Sequence, residues 1–158
     1  MMLSAGLDES PLVPYFAGGS SRKDAAAPSG KRHVAKVSDK VRQRVLVVDD
    51  EDLIADSVAE ILNRNGYEAT ARYSGKTAIQ FAEEECPDIL VCDVIMSDYN
   101  GIQLANAVHL LCPETRVLLL SGNTVTSDLL HRASREGQVF ELLAKPVHPL
   151  ELLKALAS

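Results

Sequence analysis

The sequence predicts an α/β fold: a five-stranded parallel sheet with helices on both faces. Three observations predict it. Continuous β-favouring apolar runs at residues 45–48, 89–92 and 117–120 read as strands buried on both sides, as a parallel sheet requires. Between them, apolar residues recur at helical spacing, so strand and helix alternate from Arg44 onward. Polar residues gather where the strands end: Asp49 and Asp50, Asp93, Ser121 and Lys145.

The elements follow in order. After Val45-Leu46-Val47-Val48, the residues Ile54, Val58, Ile61 and Leu62 mark a helix that Gly66 stops. Residues 67–71 form a short, more polar strand, nearer a sheet edge. Ser74 caps a helix through about Glu85, with Ala78, Ile79 and Ala82 facing inward. Pro87-Asp88 leads into a buried strand over residues 89–93, which ends in a carboxylate. Past the Asn100-Gly101 loop comes a helix through Leu104, Ala107, Val108 and Leu111. Residues 117–121 are the next buried strand, and residues 128–136 a weaker helix closed by Gly137. The fifth strand covers residues 139–144 and ends at Lys145-Pro146. Pro149 opens a last helix, with Leu150, Leu153 and Leu156 as its expected core face.

Length and charge set the boundaries. A chain of 158 residues fits one domain with a segment to spare. Residues 1–42 carry seven Lys/Arg against four Asp/Glu, few large apolar residues and clusters of Gly, Ser and Ala, so they read as a disordered tail. Residues 43–158 carry nine against eighteen and form the folded domain. The net charge of −6 argues against direct nucleic-acid binding. No apolar run approaches the roughly 20 residues of a membrane span, so no membrane insertion is expected. Cys86, Cys92 and Cys112 show no metal-ligand rhythm, which reads as three reduced thiols in a cytoplasmic protein.

The strand ends carry the chemistry. In a parallel sheet all of them lie on one edge, where open α/β sheets bind ligands. Three carboxylates there make an oxygen-rich site for a hard divalent cation, and Mg²⁺ typically uses one or two carboxylates with water and phosphate oxygens. A lysine and a hydroxyl added to that cluster suit phosphoryl oxygens. Taken alone, Asp49 to Asp52 could simply favour the N-terminus of the next helix. Gly75-Lys76-Thr77 lacks the earlier glycine of a phosphate-binding loop, since Thr70 stands there, and reads as a helix start.

Over residues 43–158 the chain resembles the receiver domain of two-component response regulators. The resemblance rests on Val47-Val48-Asp49-Asp50-Glu51, on Asp93-Val94-Ile95-Met96 with Gly101, on Ser121-Gly122 and on Lys145-Pro146. It implies a flavodoxin-like sheet of order 2-1-3-4-5. It also implies that Asp93 accepts a phosphoryl group from the phosphohistidine of a histidine kinase or phosphotransfer protein. Asp50 and Asp93 would ligate Mg²⁺ with the backbone carbonyl of Ile95, and Asp49 would act mostly through water. Lys145 would pair with the carboxylate and then the phosphoryl group, and Ser121 would turn its hydroxyl to a phosphoryl oxygen. Such a protein slowly loses its own phosphoryl group and is a switch rather than a dedicated enzyme. With nothing after Ser158, output would pass through a downstream protein. Ile95 and Asn123 would flank the phosphoryl group, and apolar Ile95 cannot orient a water, so a long-lived phospho-form is expected.

Two positions depart from the family pattern. Ser97 stands where proline is usual after the methionine, and Leu142 where the switch aromatic is usual. Phe140 is the candidate substitute, since strand periodicity would put it on the face of Leu142. These departures leave a second hypothesis, a receiver-like interaction module that is never phosphorylated. A phosphohydrolase of the haloacid-dehalogenase type is disfavoured, because that family expects D-x-D and Asp93 is followed two on by Ile95.

Overall fold

The structure is a computed structural model that describes residues 40–122 and 125–158. The expected tail thus lies almost wholly outside the described residues, as does Asn123. Ten elements alternate: β1 (Arg44–Val48), α1 (Asp52–Arg64), β2 (Glu68–Arg72), α2 (Gly75–Glu84), β3 (Ile89–Asp93), α3 (Gly101–Leu111), β4 (Arg116–Ser121), α4 (Val125–Arg135), β5 (Glu141–Ala144) and α5 (Pro149–Ala157). The sheet runs β2-β1-β3-β4-β5 with every pairing parallel, which is the 2-1-3-4-5 order.

Strand periodicity divides the core into two layers. Leu46, Val48, Leu90, Cys92 and Leu119 face Ala78, Ala82, Leu104 and Val108 of α2 and α3. The alternate residues Val45, Val47, Ile89, Val91, Leu118 and Leu120 face Ala55, Val58 and Leu62 of α1 and Leu152 and Leu156 of α5. Each buried leucine or valine contributes about 1.5–3 kcal/mol. Both faces are covered, so the central strands have no polar alternation. At the edge, β2 is only partly buried, in line with its polar composition.

Local chemistry sets the helix starts. Ser74 caps α2 by accepting the Thr77 N–H. Asn100 and Gln103 form a reciprocal capping box on α3. His148 caps α5, with Pro149 in its first turn.

Three expectations need correction. The fourth helix begins at Val125, three residues before the expected start. The fifth strand begins at Glu141, two residues after the expected start at Val139, so Phe140 precedes it. Phe140 nevertheless packs against the α2–α3 layer, the face that Leu119, register partner of Leu142, also lines. It shares the face of Leu142 as expected, while Leu142 is 46% exposed. The core face of α5 is Leu152 and Leu156, flanked by Leu153, and Leu150 is exposed. Four leucines in seven positions allow two stripes, and only packing against the sheet selects one.

The cysteine expectation is corrected as well. Cys86 and Cys112 form a disulfide, their Cα atoms 5.6 Å apart, and only Cys92 is free. These cysteines follow α2 and α3, neighbouring helices on one face of the sheet. A separation of 26 residues hides that proximity. Among the described residues no helix is long and apolar enough to cross a membrane.

One glycine fixes how α3 approaches the end of β3. A Cβ on Gly101 would lie 2.6 Å from the Asp93 carbonyl oxygen and 2.9 Å from the Val94 Cα. Both neighbours are backbone and cannot rotate away. Gly101→Ala should cost about 1–3 kcal/mol in urea unfolding. An unchanged midpoint would show that the approach is looser than described.

Candidate functional site

Asp93 is the last residue of β3, and Asp49 follows the last residue of β1. Their side chains are buried, at 8% and 1% residue exposure. Buried carboxylates need partners, and both have them. The Lys145 ammonium donates to Asp93 Oδ2 at 3.0 Å and to Asp49 Oδ2 at 3.1 Å. The second oxygen of each accepts a backbone N–H two residues on: Asp49 Oδ1 from Glu51 at 2.9 Å and Asp93 Oδ1 from Ile95 at 3.3 Å. Asp50 is exposed, and its Oδ2 accepts the Ser97 N–H at 3.1 Å.

One carboxylate oxygen from each of Asp49, Asp50 and Asp93 lies within 4.8 Å of the others. With all three ionised, Lys145 leaves two negative charges uncompensated. Hard oxygen donors and a deficit of two charges fit a small divalent cation.

Lys145 follows β5, and its backbone N–H donates to the Ser121 carbonyl at 2.8 Å, extending the β4–β5 ladder. Its peptide to Pro146 is cis. Half-buried Ser121 ends β4, in register with Ala144, and so stands beside Lys145. Exposed Ile95 lies at the mouth of the site, in the loop after β3. The structure thus brings Asp49, Asp50, Asp93, Ser121, Lys145 and Ile95 to one end of the sheet.

The electrostatics agree with this placement. Burial alone would lower the Lys145 pKa, but hydrogen bonds to Asp93 and Asp49 outweigh it and hold the ammonium above its usual range. The Cys92 thiol is pushed well up, by burial first and then by Asp93 and Asp49. It is an inert core group.

Some contributors are not apparent from side-chain chemistry. Asp98 accepts N–H groups from Gly75 and Lys76 at the start of α2 and from Tyr99. Burial would raise its pKa, yet these donors hold it low. The Tyr99 ring lies against Gly75, where a Cβ would approach ring carbon Cδ2 to 2.5 Å. Backbone donors such as Ser97 leave no trace in a residue pattern; the missing proline at 97 is the single hint.

Comparisons with known proteins agree with the geometry. A family model described as the response regulator receiver domain matches residues 45–157. Regulatory protein VanRc of Enterococcus gallinarum is 32% identical over 114 residues, covering 70% of this chain and 47% of that protein. The probable transcriptional regulatory protein TcrX of Mycobacterium tuberculosis is 34% identical over 102 residues, covering 65% and 43%. The chain thus spans about half the length of the curated relatives it matches. Among solved structures, the chemotaxis protein CheY4 of Vibrio cholerae superposes with a TM-score of 0.67 at 28% identity, over 74% of this chain and 98% of that one.

The raised Lys145 pKa sets a pH dependence. Its ion pairs contribute stability that is fully present below the ordinary lysine pKa of 10.5 and is lost as pH rises through the higher folded value. The difference in urea midpoint between the wild type and Lys145→Met should therefore hold steady from about pH 7 to 9 and shrink above about pH 10.5. A gap that widens in alkali would contradict the pairing.

Proposed function

The chain belongs to the response regulator receiver family of two-component signalling, and on that premise we propose that Asp93 is its phosphoacceptor. The observation that carries this is the Lys145 ammonium bridging Asp93 and Asp49, with Asp50 in the same cluster. An Asp93 oxygen forms a bond to the phosphorus of a phosphohistidine. The donor N–P bond breaks, and the imidazole nitrogen keeps the electron pair and takes up a proton. A carboxylate attacks an anionic phosphoryl group only where positive charge offsets the repulsion. Lys145 stands within 3.0 Å of the attacking carboxylate to supply part of it.

Asp50 and Asp93 would hold Mg²⁺, with the Ile95 carbonyl and, mostly through water, Asp49. When bound, the ion neutralises charge and polarises phosphoryl oxygens. After transfer, Lys145 pairs with the phosphoryl group and the Ser121 hydroxyl donates to one of its oxygens. The added charge and acceptors bias the β4–α4–β5 region. The protein is then a switch that takes its phosphoryl group from a histidine kinase or phosphotransfer protein and signals to a downstream protein. It is not a dedicated enzyme. An open apolar groove lined by Leu53, Ile54, Ile61, Pro146 and Val147 reaches Lys145 and offers a donor protein a surface next to Asp93.

Incubation with Mg²⁺ and acetyl phosphate should add about 80 Da, one phosphoryl group, to the wild type and nothing to Asp93→Asn, read by intact mass. No gain in the wild type would return the unphosphorylated interaction module.

The phospho-form should last minutes or longer after donor removal, because Ile95 is apolar and 45% exposed at the mouth of the site. Decay within a few seconds would contradict that role for Ile95.

A further inference from the structure

The three carboxylates are not held in the same way. Asp49 and Asp93 are fixed by Lys145 and by amides of their own loops. The Asp50 carboxylate is held by the N–H of Ser97, which lies 47 residues away, in the loop between β3 and α3. Proline has no N–H, so the residue usual at this position in the family could not make this bond. Serine can, through its backbone.

The loop that presents Ser97 is itself pinned. Asp98 accepts the first N–H groups of α2 from Gly75 and Lys76, at 3.1 and 3.0 Å. Tyr99 lies over Gly75, where a side chain would collide with its ring. Two consecutive residues thus tie the loop in two directions: Ser97 to the β1–α1 loop and Asp98 to α2.

We propose that Ser97 is a positioning residue for the metal site: its backbone N–H fixes the orientation of the Asp50 carboxylate and preorganises it toward Asp93 for Mg²⁺. The proposal rests on the Mg²⁺ assignment above. The terminal torsion of an aspartate is broad, so an exposed carboxylate without a fixed donor samples many orientations. One N–H narrows that range and leaves the remaining lone-pair sites free for a cation. It also brings partial positive charge to a carboxylate that faces two others. In this chain a hydrogen bond thus takes the place of proline as the element that shapes the loop.

The experiment is calorimetric Mg²⁺ titration of the full chain as wild type, Ser97→Ala, Ser97→Pro and Asp50→Asn. Ser97→Ala keeps the N–H and should match the wild type. Ser97→Pro should bind more weakly by about threefold to tenfold, near the low end for partners of metal ligands because the bond is exposed. Equal affinity of Ser97→Pro and wild type, or an equal loss in Ser97→Ala, overturns the role of Ser97. A wild type that binds no better than Asp50→Asn, or not at all, overturns the metal assignment and this proposal with it. If circular dichroism shows Ser97→Pro unfolded, amide hydrogen exchange decides without metal. The Ser97 N–H should exchange roughly tenfold slower in wild type than in Asp50→Ala, and equal rates overturn the proposal.

Discussion

One ammonium shared by two buried carboxylates is the constraint on which the site depends. Lys145 lies 3.0 and 3.1 Å from Asp93 and Asp49. At an effective dielectric near 20, each such pair is worth roughly 5–6 kcal/mol before desolvation is counted. Desolvation takes back much of that, so the triad adds modest net stability. Its larger consequence concerns charge balance. Without the lysine, two carboxylates side by side and out of water would repel each other with nothing between them to offset it. With it, an ammonium stands between them where a nucleophile and a cation site meet.

The fold meets the constraint by topology. Lys145 is 52 residues from Asp93 and 96 from Asp49, so no local motif could bring them together. Parallel strands put all their carboxyl ends on one edge, and the register does the rest. Asp93 pairs with Leu120, Ser121 pairs with Ala144, and Lys145 follows directly. Gly101 completes the arrangement, since the absence of a side chain lets α3 close onto the backbone of Asp93. The sheet is buried on both faces by its helices, so the chemistry is confined to its ends.

That logic explains what was legible in the sequence. The unbroken apolar runs of β1, β3 and β4 read as strands covered on both faces, and the polar residues after them fell where ligands bind. Fold class and the convergence of Asp49, Asp50, Asp93, Ser121 and Lys145 were within reach of that pattern, and the resemblance to the receiver family supplied the strand order. The features beyond reach depend on tertiary distance. Cys86 and Cys112 meet because α2 and α3 are neighbours. Leu152 rather than Leu150 turns inward because packing selects one of two leucine stripes on α5. The Ser97 amide was hidden because every residue but proline has one.

The account is tested most directly by a crystal structure of the protein with Mg²⁺ and beryllium trifluoride, a mimic of the phosphoryl group. It predicts the mimic on a carboxylate oxygen of Asp93, the ion between Asp50 and Asp93, and the Lys145 ammonium moved from the Asp93 carboxylate to the mimic. A site that stays empty at saturating concentrations, or an ion held away from these carboxylates, would contradict it.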